Sequence, residues 1–104
     1  MTDSIVVLCT CASLDEANRL ANELIEQRLA ACVNIAGPIQ SVYRWQGAVE
    51  RSEEVLLLIK TTAQGFPALR DRISQLHSYD TPEVIALPIL AGSEKYLAWI
   101  KDQL

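Results

Sequence analysis

The chain opens with a hydrophobic run that predicts a buried strand, followed by a helix. Residues 5–11 read IVVLCTC, and a short, mostly apolar run is typical of a strand covered on at least one face. Ser13 and Glu16 then have the spacing of a capping box, which marks the start of a helix. Apolar residues at helical spacing predict that this helix covers residues 14–28. They are Ala17, Leu20, Ala21, Leu24 and Ile25.

The middle of the chain predicts a long β-hairpin. Residues 30–45 have the pattern of a strand that is interrupted at Gly37-Pro38. Because proline cannot donate to a strand ladder, this pair marks an edge or a bend. Gln46-Gly47 predicts a tight turn, and residues 48–61 predict the returning strand.

The last part of the chain predicts a helix, a strand and a short closing helix. Pro67 lies where a helix begins, since its missing N–H costs least there. The apolar stripe of this helix is Phe66, Leu69, Ile73 and Leu76. Residues 83–90 predict a fourth strand, and a final helix begins at Gly92-Ser93. We expect four residues of the final helix to face inward: Tyr96, Leu97, Trp99 and Ile100.

The resulting order, βαββαβ plus a C-terminal helix, predicts an α+β fold of the ferredoxin-like type. Two right-handed βαβ halves give a four-stranded antiparallel sheet with both long helices on one face. The 104 residues fit one domain spanning residues 1–104.

The length of the hairpin predicts self-association. About fifteen residues of extended chain reach roughly 50 Å, whereas a globule of this size is roughly 34 Å across. The hairpin must therefore overhang the domain, or bend at Pro38 and pack on its own sheet. An overhanging hairpin carrying Val42, Tyr43 and Trp45 is a surface for another copy of the chain.

Charge and cysteine content narrow the class of protein. The net charge is −4 and the nine basic residues are scattered, which argues against nucleic-acid binding. Three cysteines are an odd count, which favours free thiols and a cytoplasmic location. Residues 5–12 are too few to span a membrane, and no Lys or Arg precedes them as in a signal peptide.

Cys9, Cys11 and His77 are the candidate metal ligands. Strand alternation puts the two thiols on one face, where they can hold a soft metal such as Cu(I). Alternatively, both cysteines fill the core, as buried cysteines commonly do. His77 lies at the end of a helix, where it can donate a hydrogen bond to the last free carbonyl groups. Alternatively, it joins the two thiols as a metal ligand.

Glu54 and Lys60 lie on one face of the returning strand, because they are an even number of positions apart, six. Together with Tyr79, Asp80 and Glu83 they can line a polar pocket. Alternatively, they are ordinary polar side chains that water solvates at the ends of strands. The sequence contains no Ser/His/Asp set, phosphate-binding glycine loop or HExxH helix. We therefore expect no enzyme, and the alternative is acid–base catalysis by Lys60 and Glu54.

Several ordered segments resemble the CutA family of divalent-cation tolerance proteins, over nearly the whole chain. They are residues 29–34 (LAACVN), 43–47 (YRWQG), 54–61 (EVLLLIKT), 77–83 (HSYDTPE) and 96–100 (YLAWI). The resemblance implies a small cytoplasmic homotrimer with a ferredoxin-like fold, similar in shape to the PII signalling proteins.

The resemblance also implies a function in copper or other divalent-metal tolerance. The family's copper ligands are a cysteine of the first strand and two adjacent histidines, which here correspond to Cys9, Leu76 and His77. One nitrogen donor is therefore missing, and Cys11 is an additional thiol nearby. We expect metal binding to be modest and led by sulfur.

The analogy with PII proteins implies a different function, the sensing of a small molecule in a cleft between subunits. The residues expected to line that cleft are Cys32, Trp45, Glu54, Lys60, Tyr79 and Thr81.

Overall fold

The computed structural model describes residues 2–104. Their elements are β1 (Ser4–Cys11), α1 (Leu14–Glu26), β2 (Cys32–Trp45), β3 (Ala48–Thr62), α2 (Phe66–Leu76), β4 (Val84–Pro88) and α3 (Glu94–Asp102). The predicted order of elements is thus confirmed. β4 is shorter than the predicted residues 83–90. Within residues 2–104, no helix is both long and apolar enough to cross a membrane.

The four strands form one antiparallel sheet in the order β2-β3-β1-β4. β1 lies in its interior, with Cys9 opposite Leu57 of β3 on one side and opposite Val84 of β4 on the other. β2 pairs only with β3. This is the predicted ferredoxin-like arrangement with an added C-terminal helix.

The cap predicted for α1 forms, but Glu16 reaches back to the N–H of Ala12 rather than to that of the capping residue Ser13. Ser13 Oγ accepts the Glu16 N–H at 3.2 Å, and Glu16 Oε1 accepts the Ala12 N–H at 3.2 Å. The helix ends at Glu26 rather than at residue 28. Arg28 has a positive φ of 57°, a left-handed conformation that cannot continue a right-handed helix.

The core lies between the sheet and the two long helices. Alternation along β1 and β3 points every second side chain toward the helices, and Val7, Cys9 and Leu57 are completely buried there. The helices contribute Leu20, Leu24, Leu69 and Ile73. Burying one such aliphatic side chain contributes roughly 1.5–3 kcal/mol.

α3 fully buries only one of the four residues that the sequence predicted to face inward. Ile100 is fully buried, but Tyr96 and Trp99 are 43% and 41% exposed, and Leu97 is half-buried. A nine-residue helix against a sheet buries only one narrow stripe. The two aromatic rings instead stack on each other, with centroids 5.6 Å apart.

The hairpin of β2 and β3 overhangs the domain. β1 pairs with β3 only as far as Val55, so residues 48–54 of β3 pair with β2 alone. The principal extents of the chain are 45 × 26 × 23 Å. A register shift between Ala36 and Ile39 marks the Gly37-Pro38 interruption. The strand continues through it, so the alternative of a hairpin folded back onto its own sheet is wrong.

Candidate functional site

The two thiols and the single imidazole meet at one end of the core. One ligand atom from each of Cys9, Cys11 and His77 lies within 4.8 Å of the other two. Alternation along β1 directs both cysteines under the helices. His77 is the residue at which α2 ends and the backbone becomes extended. The predicted group of three metal-ligand candidates is therefore assembled within a single chain.

The thiols of this cluster are shielded from water. Both cysteines have no exposed surface, and the side chain of His77 is also fully buried. The pKa of the Cys9 thiol is raised well above its ordinary range, first by the hydrogen-bond contact with Cys11 and then by burial. Cys9 therefore carries its proton at neutral pH, and a metal ion must displace that proton to bind.

Both ring nitrogens of His77 already have partners. Nδ1 lies 3.0 Å from the backbone nitrogen of Tyr79 and accepts its N–H. Nε2 lies 2.8 Å from the carbonyl oxygen of Thr10. Because an acceptor Nδ1 offers its lone pair, the proton of the neutral ring is on Nε2, which donates to Thr10.

Hydrogen bonds to the carboxylate of Glu16 connect the segment after α2 to the start of α1. Its Oε2 accepts the Ser78 N–H at 2.7 Å and lies 3.9 Å from His77 Nδ1. Burial alone would raise the pKa of this carboxyl. The hydrogen bonds from Ser78 and Ala12, with His77 nearby, outweigh burial and lower the pKa. Sequence reasoning found the cap but not the contact with Ser78, for which a separation of 62 residues gives no signal.

Tyr79 links this segment to β3. Its hydroxyl donates to Glu54 Oε2 at 2.8 Å, and its ring lies 4.8 Å from the imidazole of His77. Burial and the hydrogen bond to Glu54 raise the pKa of Tyr79 far above its ordinary value. Two of the predicted cleft residues are therefore in direct contact.

Two other predicted cleft residues lie together elsewhere. Cys32 and Lys60 are directly opposite each other in the register of β2 and β3. Lys60 Nζ donates to Asn34 Oδ1, and Cys32 Sγ lies 3.9 Å from the same oxygen. Burial and then Cys32 raise the pKa of Tyr96. Asn34 and Tyr96 were not predicted for this group.

The single chain does not join the predicted cleft residues into one site. Along β3, Lys60 lies six positions after Glu54, or about 20 Å of extended strand. Trp45 lies at the far end of the hairpin and is 60% exposed. Thr81, Asp80 and Glu83 are exposed beyond α2. Of the five residues predicted to line a polar pocket (Glu54, Lys60, Tyr79, Asp80 and Glu83), Tyr79 and Glu54 are in contact, whereas Lys60 bonds to Asn34.

The donor set of the buried cluster suits a soft metal ion. Thiolate sulfur prefers Cu(I), zinc and iron–sulfur clusters, whereas carboxylate and carbonyl oxygen suit magnesium and calcium. The group of three contains no carboxylate.

Fold and site together define a small ferredoxin-like α+β domain with a buried thiol–imidazole cluster. Residues 5–103 match the family model described as CutA1 divalent ion tolerance protein. The chain therefore belongs to the CutA family.

Named relatives agree with this assignment. The divalent-cation tolerance protein CutA of Thermus thermophilus is 50% identical over 97 residues, covering 93% of this chain and 94% of the relative. The chloroplastic protein CutA of Arabidopsis thaliana is 48% identical over 99 residues, covering 95% of this chain and 54% of the relative. The chain thus spans about half the length of the plant relative.

Solved structures of this family have the same fold. The divalent cation tolerance protein of Thermus thermophilus matches with a TM-score of 0.94 at 48% identity, over 96% of this chain and 97% of that chain. CutA of Xylella fastidiosa matches with a TM-score of 0.96 at 39% identity, over 98% of both chains.

Proposed function

We propose that this protein is a non-enzymatic, homotrimeric divalent-cation tolerance protein that binds copper or another divalent metal ion at Cys9, Cys11 and His77. The observation that carries the proposal is the convergence of these three side chains within 4.8 Å in the buried core. The family's description as divalent ion tolerance proteins supports the same function. Three free cysteines support a cytoplasmic location.

Two separate apolar surfaces support assembly into a closed ring. One is the hairpin end, where Val42, Trp45 and Val49 are exposed. The other is the β4 edge, where Ile85 and Leu87 are 51% and 48% exposed. β2 and β4 are the opposite edges of the sheet. Two different surfaces that meet head to tail generate rings when the rotation closes, and a trimer is the ring that we propose.

A thermal-shift experiment tests the metal-binding proposal. An ion that binds only the folded protein raises the melting temperature by mass action. We expect Cu(I), Cu(II) or Zn(II) to raise it in the wild type. We expect a smaller rise in the double variant Cys9→Ser with Cys11→Ser. Equal shifts in both proteins would contradict metal binding at this site.

A second candidate function is the sensing of a small anion in an inter-subunit cleft, as in PII-like modules. The observation that favours it is Lys60, whose ammonium group donates to the side-chain oxygen of Asn34, which is also a neighbour of Cys32. Residues 2–104 contain no carboxylate paired with this lysine. The remaining residues of the proposed cleft would come from elsewhere in the chain or from other subunits. They are Trp45, Glu54, Tyr79 and Thr81. An anionic metabolite should then raise the melting temperature of the wild type but not of Lys60→Gln.

A further inference from the structure

Cys32 differs from the other two thiols in its access to solvent. It is partly exposed, whereas Cys9 and Cys11 are buried without any exposed surface. Cys32 is the first residue of β2, and β2 is an edge strand that pairs only with β3. A reagent in solution can therefore reach Cys32 from the open edge of the sheet, whereas it reaches the other two thiols only if the core opens.

Cys32 and Lys60 share the sheet face that points away from the two long helices. They lie directly opposite each other in the register of β2 and β3, and the Cβ atoms of such pairs are about 4.5–5.5 Å apart on one face. Ile59 is completely buried in the core, so strand alternation directs Lys60 to the opposite face. Both side chains contact the same atom. Lys60 Nζ donates to Asn34 Oδ1, and Cys32 Sγ lies 3.9 Å from that oxygen.

Two neighbouring groups can stabilise a thiolate at Cys32. An ammonium group has three N–H donors, of which Asn34 accepts one from Lys60. No carboxylate of residues 2–104 forms an ion pair with this lysine. Burial and then Cys32 raise the pKa of Tyr96, so the Tyr96 hydroxyl keeps its proton at neutral pH and remains a donor. Partly exposed cysteines beside a lysine are the reactive ones, because the thiolate is the nucleophile.

We infer that Cys32 is a site of reversible thiol–disulfide exchange with small anionic disulfides, and that Lys60 is the positioning residue that favours their negative charge. The Cys32 thiolate attacks one sulfur of the incoming disulfide. The original S–S bond breaks, a new S–S bond to Cys32 Sγ forms, and the second half leaves as a thiolate that takes a proton from solvent. Cys32 is thereby oxidised as the small disulfide is reduced, and a small thiol reverses the step.

The test compares two disulfides of opposite charge on the reduced full chain. Oxidised glutathione is anionic and cystamine is cationic, and mass spectrometry with peptide mapping follows the adducts over time. The ratio of the two rates at Cys32 is divided by the same ratio for the chain unfolded in urea, which removes the intrinsic reactivity of each reagent. The net charge of −4 favours cystamine, whereas Lys60 favours glutathione. We expect adducts at Cys32 alone and a normalised ratio that favours glutathione.

Two variants separate the lysine from the protein's overall charge. Lys60→Met should lower the normalised ratio by about fivefold, the effect of one unit charge at close range in water. Lys101→Met is the matched control, because it removes the same charge from an exposed lysine that pairs with Asp3, and it should leave the ratio close to that of the wild type. Cys32→Ser should form no adduct while folded.

The salt dependence of the wild type gives a readout that needs no variant to fold. Added salt screens exposed charges, so it should slow the reaction with glutathione and lower the normalised ratio. Earlier modification of Cys9 or Cys11 than of Cys32 would overturn the inference. So would a wild-type ratio that favours cystamine, or equal ratios in Lys60→Met and Lys101→Met. These outcomes do not bear on metal binding at the buried cluster. The thermal shift with an anionic metabolite tests the second candidate function separately, because it needs no covalent step.

Discussion

The Nε2 atom of His77 lies 2.8 Å from the carbonyl oxygen of Thr10, although 67 residues of chain separate the two. This hydrogen bond joins the end of α2 to the strand that carries both buried thiols. Thr10 is the residue between Cys9 and Cys11. The imidazole is therefore hydrogen-bonded to the backbone segment that connects the two cysteines. The contacts of Glu16 with Ser78 and of Tyr79 with Glu54 hold the same segment from either side.

Replacing Glu16 by Gln should destabilise the fold. The carboxylate accepts two backbone N–H groups, and an amide offers only one oxygen for them. Leaving a buried donor unpaired costs about 1–3 kcal/mol, measured as the change in free energy of unfolding in urea at fixed protein concentration. The control is Glu23→Gln, whose partly exposed ion pair with Arg72 should contribute about 0–1 kcal/mol. Equal losses in the two variants would contradict the role of Glu16.

Glu16 should also make the fold sensitive to acid. Its pKa is lower in the folded than in the unfolded protein. Its stabilising contribution is therefore complete above the unfolded carboxyl pKa of about 4.3. It is lost as the pH falls through the folded value. In urea unfolding at a series of pH values, wild type and Glu16→Gln should differ most at neutral pH and converge as the pH falls from about 4.3 through the lower folded pKa. A difference that stays constant with pH would contradict the linkage.

Tyr79→Phe should destabilise the protein more than Tyr43→Phe. The hydroxyl of Tyr79 is the partner of the buried Glu54 carboxylate, whereas the Tyr43 hydroxyl contacts Ser52 at 3.2 Å on an exposed surface. We expect about 1–3 kcal/mol for the first variant and less than that for the second. The measurement is urea unfolding of both variants at the same concentration, and a reversed order would contradict the role of this hydrogen bond.

The melting temperature should rise with protein concentration, because association stabilises only the folded chains. Trp45→Lys or Val49→Lys should weaken association, since each places a charge on the exposed hairpin surface. Sedimentation over a hundredfold dilution should show trimer for the wild type and smaller species for these variants. Ile25→Lys is the control, because Ile25 is an exposed apolar residue of α1. A monomeric wild type of 11.5 kDa would overturn the proposed assembly.

Leu76→His should strengthen Cu(II) binding. The substitution adds an imidazole beside His77, and imidazole nitrogen is a preferred ligand of copper. The control is Leu76→Asn, which is polar but lacks an imidazole. A calorimetric titration should give tighter Cu(II) binding for the histidine variant alone. Equal affinities in the two variants would show that the position does not reach the metal site.

Much of the fold follows from local sequence signals. The apolar run of β1, the capping box of α1 and the proline at the start of α2 each determine a local element. Strand alternation predicts that Cys9 and Cys11 lie on the same face of β1. Tyr96 and Trp99 were misassigned, because apolar character alone does not say whether a side chain is covered within its own chain.

The site was less predictable than the fold. The resemblance to a family indicated Cys9 and His77, but nothing in the sequence shows that both nitrogens of the imidazole are engaged. The contact of Glu16 with Ser78 depends on how α1 and the end of α2 meet in space. For the same reason, sequence reasoning placed Glu54 and Lys60 in one pocket, although they lie in separate groups on β3.

The most direct test of the central claim is a calorimetric titration of the reduced chain with Cu(I), Cu(II) and Zn(II), repeated on Cys9→Ser and Cys32→Ser. Metal binding at the buried cluster predicts saturable uptake that is lost in Cys9→Ser and retained in Cys32→Ser. An unchanged titration in Cys9→Ser, or no uptake by the wild type, would contradict the account and leave the buried cysteines as core residues.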